Sequence, residues 1–211
     1  MLDYGVTAPH LSVIPPGVAP ATRARGSGSS RLALLTVGAV IPRKGHDLLL
    51  NALMGLTHYA WRLDIVGSET LAPRHAGGIR HLANELGLHE RVRFHGERDG
   101  DALGAAYASA DLFVLASHYE GYGMVLNEAV AHGLPVVATA GGAVPFTLAE
   151  GAGLLAPPGD VDGLRAALAR VMHESDLRAR LRRGAQQAAY GLPSWAEGVS
   201  RLIRTIEEVA P

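Results

Sequence analysis

The chain contains no cysteine, which excludes a disulfide framework and any thiolate metal site. It also lacks an excess of either charge. Nineteen Lys and Arg face twenty Asp and Glu, for a formal net charge of -1, so no broad basic field recruits nucleic acid or anionic lipid. No apolar run approaches the roughly 18 residues that a membrane helix needs. The N-terminal stretch MLDYGVTAPHLSVIPPGVAP has neither a basic n-region nor a continuous apolar segment, and predicts no signal peptide. These absences together predict a soluble, cytoplasmic protein. There is no internal repeat and no metal-spaced His/Asp cluster, and the ten scattered histidines read as surface or packing residues.

What is present is enough for a full hydrophobic core. The 211 residues are 48% apolar and 18% charged, normal for a globular chain of one large domain or two small ones. The order is strand, turn, helix, repeated. LSVIP (Leu11 to Pro15) predicts a short strand ended by Pro15-Pro16-Gly17, and Pro20 to Ser30 a Gly/Ser-rich linker or mobile loop. RLALLTVGAV is an almost uninterrupted apolar run, the pattern of a strand buried on both faces.

A helical HDLLLNALMGL follows, then the strand WRLDIVGS, a helix over Ala76 to Leu86, the strand RVRFHG and a helix over Asp101 to Ala110. The strand DLFVLAS, a helix after Gly123, the strand PVVAT and the short strand of GAGLLAPPGD complete the sheet. Three helices then follow, Val161 to His173, Asp176 to Tyr190 and Ser194 to Val209. Strands alternating with helices predict an α/β fold, a Rossmann-like doubly wound parallel sheet of about six strands.

In open α/β sheets ligands bind beyond the carboxyl ends of the strands, where glycine-rich turns expose helix N-terminal amides. Three turns have this character. In VGAVIPRKGHD, Gly38 ends a buried strand and Pro42-Arg43-Lys44-Gly45 leads into a helix. Lys44 suits a phosphate as a point charge and Arg43 as a bidentate donor, against the plainer reading of a solvated basic loop. In HYEGYGMVLNE, Gly121 and Gly123 allow close approach of the backbone. Glu120 stands just before the helix there, and Glu128 about a turn and a half inside. Capping would account for negative charge at that end. The spacing, though, separates the two heads by roughly 7 Å or more along the site, too far to share a proton and suited to two hydroxyl-bearing rings. The third turn, ATAGGAVP, has a Gly-Gly loop whose amides can face the same cleft. Basic residues for a diphosphate, one glutamate for a ribose and one for a hexose describe a nucleotide-sugar site.

The span from about Leu11 to Ile203 resembles the C-terminal, donor-binding half of the GT-B fold in retaining glycosyltransferases of family 4. The resemblance is carried by PPGV at 15–18, VGAVIPRKGHDLLLNAL at 37–53, RVRFHG at 91–96, ASADLFVLASHYEGYGMVLNEAVAHGLPVVAT at 108–139, GG at 141–142 and GLLAPPGD at 153–160. Glu120 and Glu128 match the family's E-x7-E signature. The resemblance implies that Glu128 holds the ribose hydroxyls and Glu120 the donor sugar. Lys44 would lie on the diphosphate with Arg43, and the amides of Gly121, Tyr122, Gly123 and Met124 near sugar and phosphates. The loop with His95, Gly96 and Arg98 would line the base, and Gly38 would be among the donor-binding residues. Glu120 and Lys44 would be the catalytic pair.

Two positions depart from the pattern: Ala39 stands where many members have Arg, and Pro145-Phe146 where they often have Pro-Glu. The implied activity is retaining transfer of a sugar from a UDP- or GDP-sugar to a hydroxyl of a glycan, lipid or small-molecule acceptor, with no cofactor and no metal. Residues 1–30 would then be the linker and tail of a missing N-terminal acceptor domain, which could bring the protein to a membrane surface, and residues 31–211 the donor domain. The alternatives are a non-catalytic nucleotide-sugar binding module and a sugar-nucleotide epimerase.

Overall fold

A computed structural model describes the protein over residues 12–209. Six parallel strands are ordered β3-β2-β1-β4-β5-β6, comprising β1 (Leu32–Val37), β2 (Trp61–Val66), β3 (Val92–Phe94), β4 (Leu112–Leu115), β5 (Val136–Thr139) and β6 (Gly153–Ala156). The helices between and after them are α1 (His46–Met54), α2 (Pro73–Glu85), α3 (Gly100–Ala108), α4 (Met124–Ala131), the single turn α5 (Val144–Thr147), α6 (Val161–His173), α7 (Ser175–Ala188) and α8 (Trp195–Val209).

The apolar runs become central strands because both faces of the sheet are covered. Along β4, Leu112 and Val114 enter one core with Leu49, Leu53 and Leu168. Phe113 and Leu115 enter the other, with Tyr107, Leu126 and Val130. Strand β1 pairs with β2 over its whole length, from Leu32 opposite Trp61 to Val37 opposite Val66. It meets β4 only at Leu34 opposite Leu112 and Leu35 opposite Phe113. The winding reverses between β1 and β4, so their carboxyl ends diverge into a crevice of the kind that binds ligands in such sheets.

Three expectations need correction. Residues 12–15 form no strand (Leu11 lies outside the described residues), because Pro15 and Pro16 have no N–H to donate. The segment's ladder contact is a single parallel bridge from Val18 to Ser194, with Val18 N–H donating to Pro193 O at 2.8 Å. The Gly/Ser-rich stretch Pro20 to Ser30 has no regular structure yet is fastened along its length. Ala24 N–H donates to His132 O at 2.8 Å and Arg25 N–H to Ala108 O at 3.0 Å. Ser27 Oγ donates to the Asp111 carboxylate at 2.6 Å, and we call this segment the strap. The Gly-Gly loop runs into the unforeseen turn α5.

The helix expected over Ala76 to Leu86 starts three residues earlier, with Pro73 in its first turn, where a missing N–H costs nothing. Helix α8 begins after Ser194, which forms a reciprocal cap with Glu197: Ser194 Oγ accepts from Glu197 N–H, and Glu197 Oε2 accepts from Ser194 N–H. Its Trp195, Val199, Leu202, Ile203 and Ile206 are each about half exposed. Among the described residues no helix is long and apolar enough to cross a membrane.

Candidate functional site

The site is built at the crevice from the loops after β1 and β4. After β1 the chain turns at Gly38, whose N–H donates to Val66 O at 2.8 Å, and winds a single 3-10 turn over Pro42–Lys44. Gly45 then adopts φ 60°, and a Cβ there would lie 2.2 Å from Ala116 O. That close approach seats the basic turn against the end of β4, and His118 N–H donates to Arg43 O at 2.9 Å. The consequence is chemical. Lys44 Nζ lies 2.7 Å from Glu120 Oε1, and Arg43 Nη1 3.2 Å from Glu120 Oε2.

Glu120 is 5% exposed, and Ser117 Oγ also donates to its Oε1 at 2.5 Å. Burial by itself would push this carboxyl up. The hydrogen bonds from Lys44 and Ser117, with the Lys44 and Arg43 charges, outweigh it and hold the group below its ordinary value. The backbone of Glu120 is fixed by the third glycine turn. Glu120 bridges Gly142 in parallel, Glu120 N–H donates to Gly141 O at 3.3 Å and Ala143 N–H to Glu120 O at 2.8 Å. A Cβ on Gly142, at φ 65°, would fall 2.2 Å from Glu120 O. The Gly-Gly loop therefore serves as a support for Glu120.

Glu128 stands on α4, which opens at Gly123 with φ 84°. Among the described residues the N–H groups of Gly121, Tyr122, Gly123 and Met124 donate to no protein acceptor. Gly123 and Met124 open the helix, where N–H groups lack intrahelical partners and favour negative charge, and Gly121 and Tyr122 lead into it. Glu128 accepts a hydrogen bond from Tyr107 Oη at 2.7 Å and lines a cavity of about 630 Å³ with Tyr122, Met124, Asn127, Asp101 and residues of the strap. Burial first, then the charge and hydrogen bond of Glu128, raise the Tyr107 phenol well above its ordinary value and keep it a donor.

The structure thus brings Arg43, Lys44, Glu120 and the α4 amides into one cluster, with Glu128 on the same helix further in. His95 and Gly96 follow β3, two strands from β1. His95 Nε2 is 2.7 Å from Asp64 Oδ1, Gly96 O accepts from Gly67 N–H at 2.8 Å, and Arg98 is exposed. Gly67 and Gly38 draw the β1 and β2 loops together, since a Cβ on Gly67 would lie 2.0 Å from Gly38 O.

Four contributors escaped the reading of the sequence: Ser117, Thr139, Asp64 and Tyr107. Thr139 Oγ1 donates to Ser117 O at 2.5 Å, and Asp64 carries His95. Ser117 and Thr139 are ordinary strand-end residues and give no signal. Tyr107 was detectable as the lone aromatic in a helix of small residues, GDALGAAYA.

Comparison with known proteins bears on the family and the fold. The family model described as glycosyl transferases group 1 matches residues 22–188. Mannosylfructose-phosphate synthase of Agrobacterium fabrum is 31% identical over 97% of this chain and 49% of its own length. D-inositol 3-phosphate glycosyltransferase of Thermomonospora curvata is 33% identical over 96% of this chain and 48% of its own. The structure of sucrose-phosphate synthase from Thermosynechococcus elongatus superimposes with a TM-score of 0.82 and 28% identity, over 93% of this chain and 53% of that one. The chain spans about half the length of the curated relatives it matches. With about four fifths of its residues under that model and its six-stranded sheet shared with a GT-B enzyme, the chain belongs to the group 1 glycosyl transferases.

Proposed function

We propose that this domain binds a nucleotide-sugar, UDP- or GDP-linked, and serves retaining transfer of its sugar to an acceptor hydroxyl, as in glycosyltransferase family 4. One observation carries the reading. A lysine, an arginine and a buried carboxylate converge within hydrogen-bond distance at the reversal point of the sheet, beside a helix start with unused amides. Lys44, Arg43 and the amides of Gly121 to Met124 would neutralise the diphosphate as it departs, a role that a metal often fills. Glu120, held ionised, would accept from the hydroxyls of the donor sugar. Glu128 would accept from the ribose, and His95 to Arg98 would flank the base.

In the reaction the acceptor oxygen bonds to the anomeric carbon on the face from which the diphosphate leaves. The acceptor's proton passes to a departing phosphate oxygen, giving glycoside and nucleoside diphosphate. The acceptor pocket and the second wall that excludes water would come from a further domain N-terminal to residues 31–211, with residues 1–30 leading from it. The cytoplasm, or its membrane surface, is the compartment where such donors would meet the site.

The test is calorimetry of this chain against UDP-, GDP- and ADP-sugars, with a transfer assay run on the chain alone and with the upstream domain added. Micromolar to millimolar binding of one base class and turnover only with both domains is the expected result. Failure of every nucleotide to bind refutes the reading, and multiple turnovers by this chain alone refute the need for a second domain.

A further inference from the structure

We propose that Tyr107 is a positioning residue for Glu128, and that the Tyr107 ring is held in turn by His132 and the strap. The inference rests on the donor reading above.

Glu128 is a glutamate in the second turn of a helix, partly exposed, and by itself its head is free to rotate. Tyr107 Oη meets it at 2.7 Å from α3, 21 residues away, on a side chain only 2% exposed. The ring cannot swing. It is stacked on His132 with centroids 4.9 Å apart and planes at 11°, and lies against Phe113 at 5.8 Å.

His132 is itself tied down twice to the strap. Its Nδ1 lies 2.6 Å from Thr22 O, which requires the proton on Nδ1, and its carbonyl accepts from Ala24 N–H at 2.8 Å. The chain of contacts thus runs from the strap through an imidazole and a buried phenol to the carboxylate. Tyr107 takes one lone pair of Oε2. A carboxylate has about four such sites, so Oε1 and the second site on Oε2 stay open to a diol, with the head already oriented. Pre-orienting a charged acceptor removes rotamer entropy that binding would otherwise cost.

A purely structural role for Tyr107, filling the α3–α4 core, makes a different prediction, and Tyr107→Phe separates the two because it keeps the ring and its stack. The probes are UDP and 2′-deoxy-UDP (GDP and 2′-deoxy-GDP if guanine is the base bound), titrated calorimetrically into the wild-type chain and the variant. Wild type should prefer the ribonucleotide by about tenfold, the range of one hydrogen bond to a charged group. Tyr107→Phe should reduce that preference at least about threefold, with affinity for the deoxy form and the melting temperature nearly unchanged. In a Glu128→Gln background the same change should leave the preference where it was.

An unchanged ribo/deoxy ratio in Tyr107→Phe, or equal weakening of both nucleotides, overturns the proposal. Wild type that binds nucleotide without preferring the ribo form overturns Glu128 as the ribose residue. Wild type that binds no nucleotide at all overturns the donor reading, and the proposal with it.

Discussion

Replacing Lys44 by alanine removes the nearest cation from a carboxylate that is almost fully buried. The Lys44 side chain is 11% exposed and that of Glu120 7%, so the pair is screened little by solvent. Breaking a buried pair by deleting one partner costs about 3–5 kcal/mol. Here Ser117 still donates to Glu120 and Arg43 still lies 3.2 Å away, although its side chain is 44% exposed. A loss of about 2–3 kcal/mol at pH 7 is the reasonable figure, or about 4–12 °C in Tm for a domain of this size.

The pH dependence identifies the cause. In the wild type the Glu120 carboxyl sits below its ordinary value, so its stabilisation is complete above the unfolded value and disappears as pH falls through the folded one. Without Lys44 the group loses the hydrogen bond and charge that do most to oppose burial, and it moves up. The stability gap between wild type and Lys44→Ala should therefore be wider at pH 7 than at pH 3. Urea denaturation at the two pH values reads this directly. In a cycle with Glu120→Gln, the two changes should couple by about 1.5–3 kcal/mol. A gap independent of pH, or simple additivity, would mean that the Lys44–Glu120 contact is incidental and the reasoning wrong.

For the glutamates, Glu128→Ala should weaken nucleoside diphosphate and nucleotide-sugar alike by about 10- to 100-fold. Glu120→Ala should weaken the nucleotide-sugar far more than the diphosphate, and equal effects on both ligands in calorimetry would refute the division of roles. A third expectation concerns His46, 2% exposed and pushed down to about 4 by burial first, then by His75 and Lys44. Because its folded pKa is depressed, the unfolded chain takes up a proton first as pH falls. Its share of stability, about 3 kcal/mol, should drain between pH 6.5 and 4, and His46→Gln should flatten that part of the stability curve.

The sheet was legible because strands covered on both faces must be apolar throughout, and runs such as LALLTV and LFVL are buried along nearly their whole length. The strand expected at Leu11 to Pro15 failed because apolar pattern carries no account of hydrogen bonding, and two prolines remove the donors. The strap was misread for a related reason. Its anchors are the Asp111 carboxylate 84 residues from Ser27 and the carbonyls of Ala108 and His132, none of which leaves a local mark. At the site the residue types and their spacing pointed to anionic and hydroxylated ligands. That Lys44 and Glu120, 76 residues apart, meet each other follows from β1 and β4 lying side by side in the sheet. Likewise the Gly-Gly turn looked like any glycine loop, and only the 2.2 Å approach to Glu120 O shows why a side chain has no room there.

The bridge between Val18 and Ser194 makes a joint between the incoming chain and the start of the outgoing helix. The incoming chain and the outgoing helix pass side by side, and so closely that a Cβ on Gly17 would lie 2.2 Å from Trp195 N. The strap that continues from this joint is the same segment that grips His132, behind the phenol that meets Glu128. A displacement at this joint would therefore reach the wall of the cavity beside Glu128 through His132 and Tyr107, across solid packing. The position of the strap and the orientation of the Glu128 head would then be two ends of one lever.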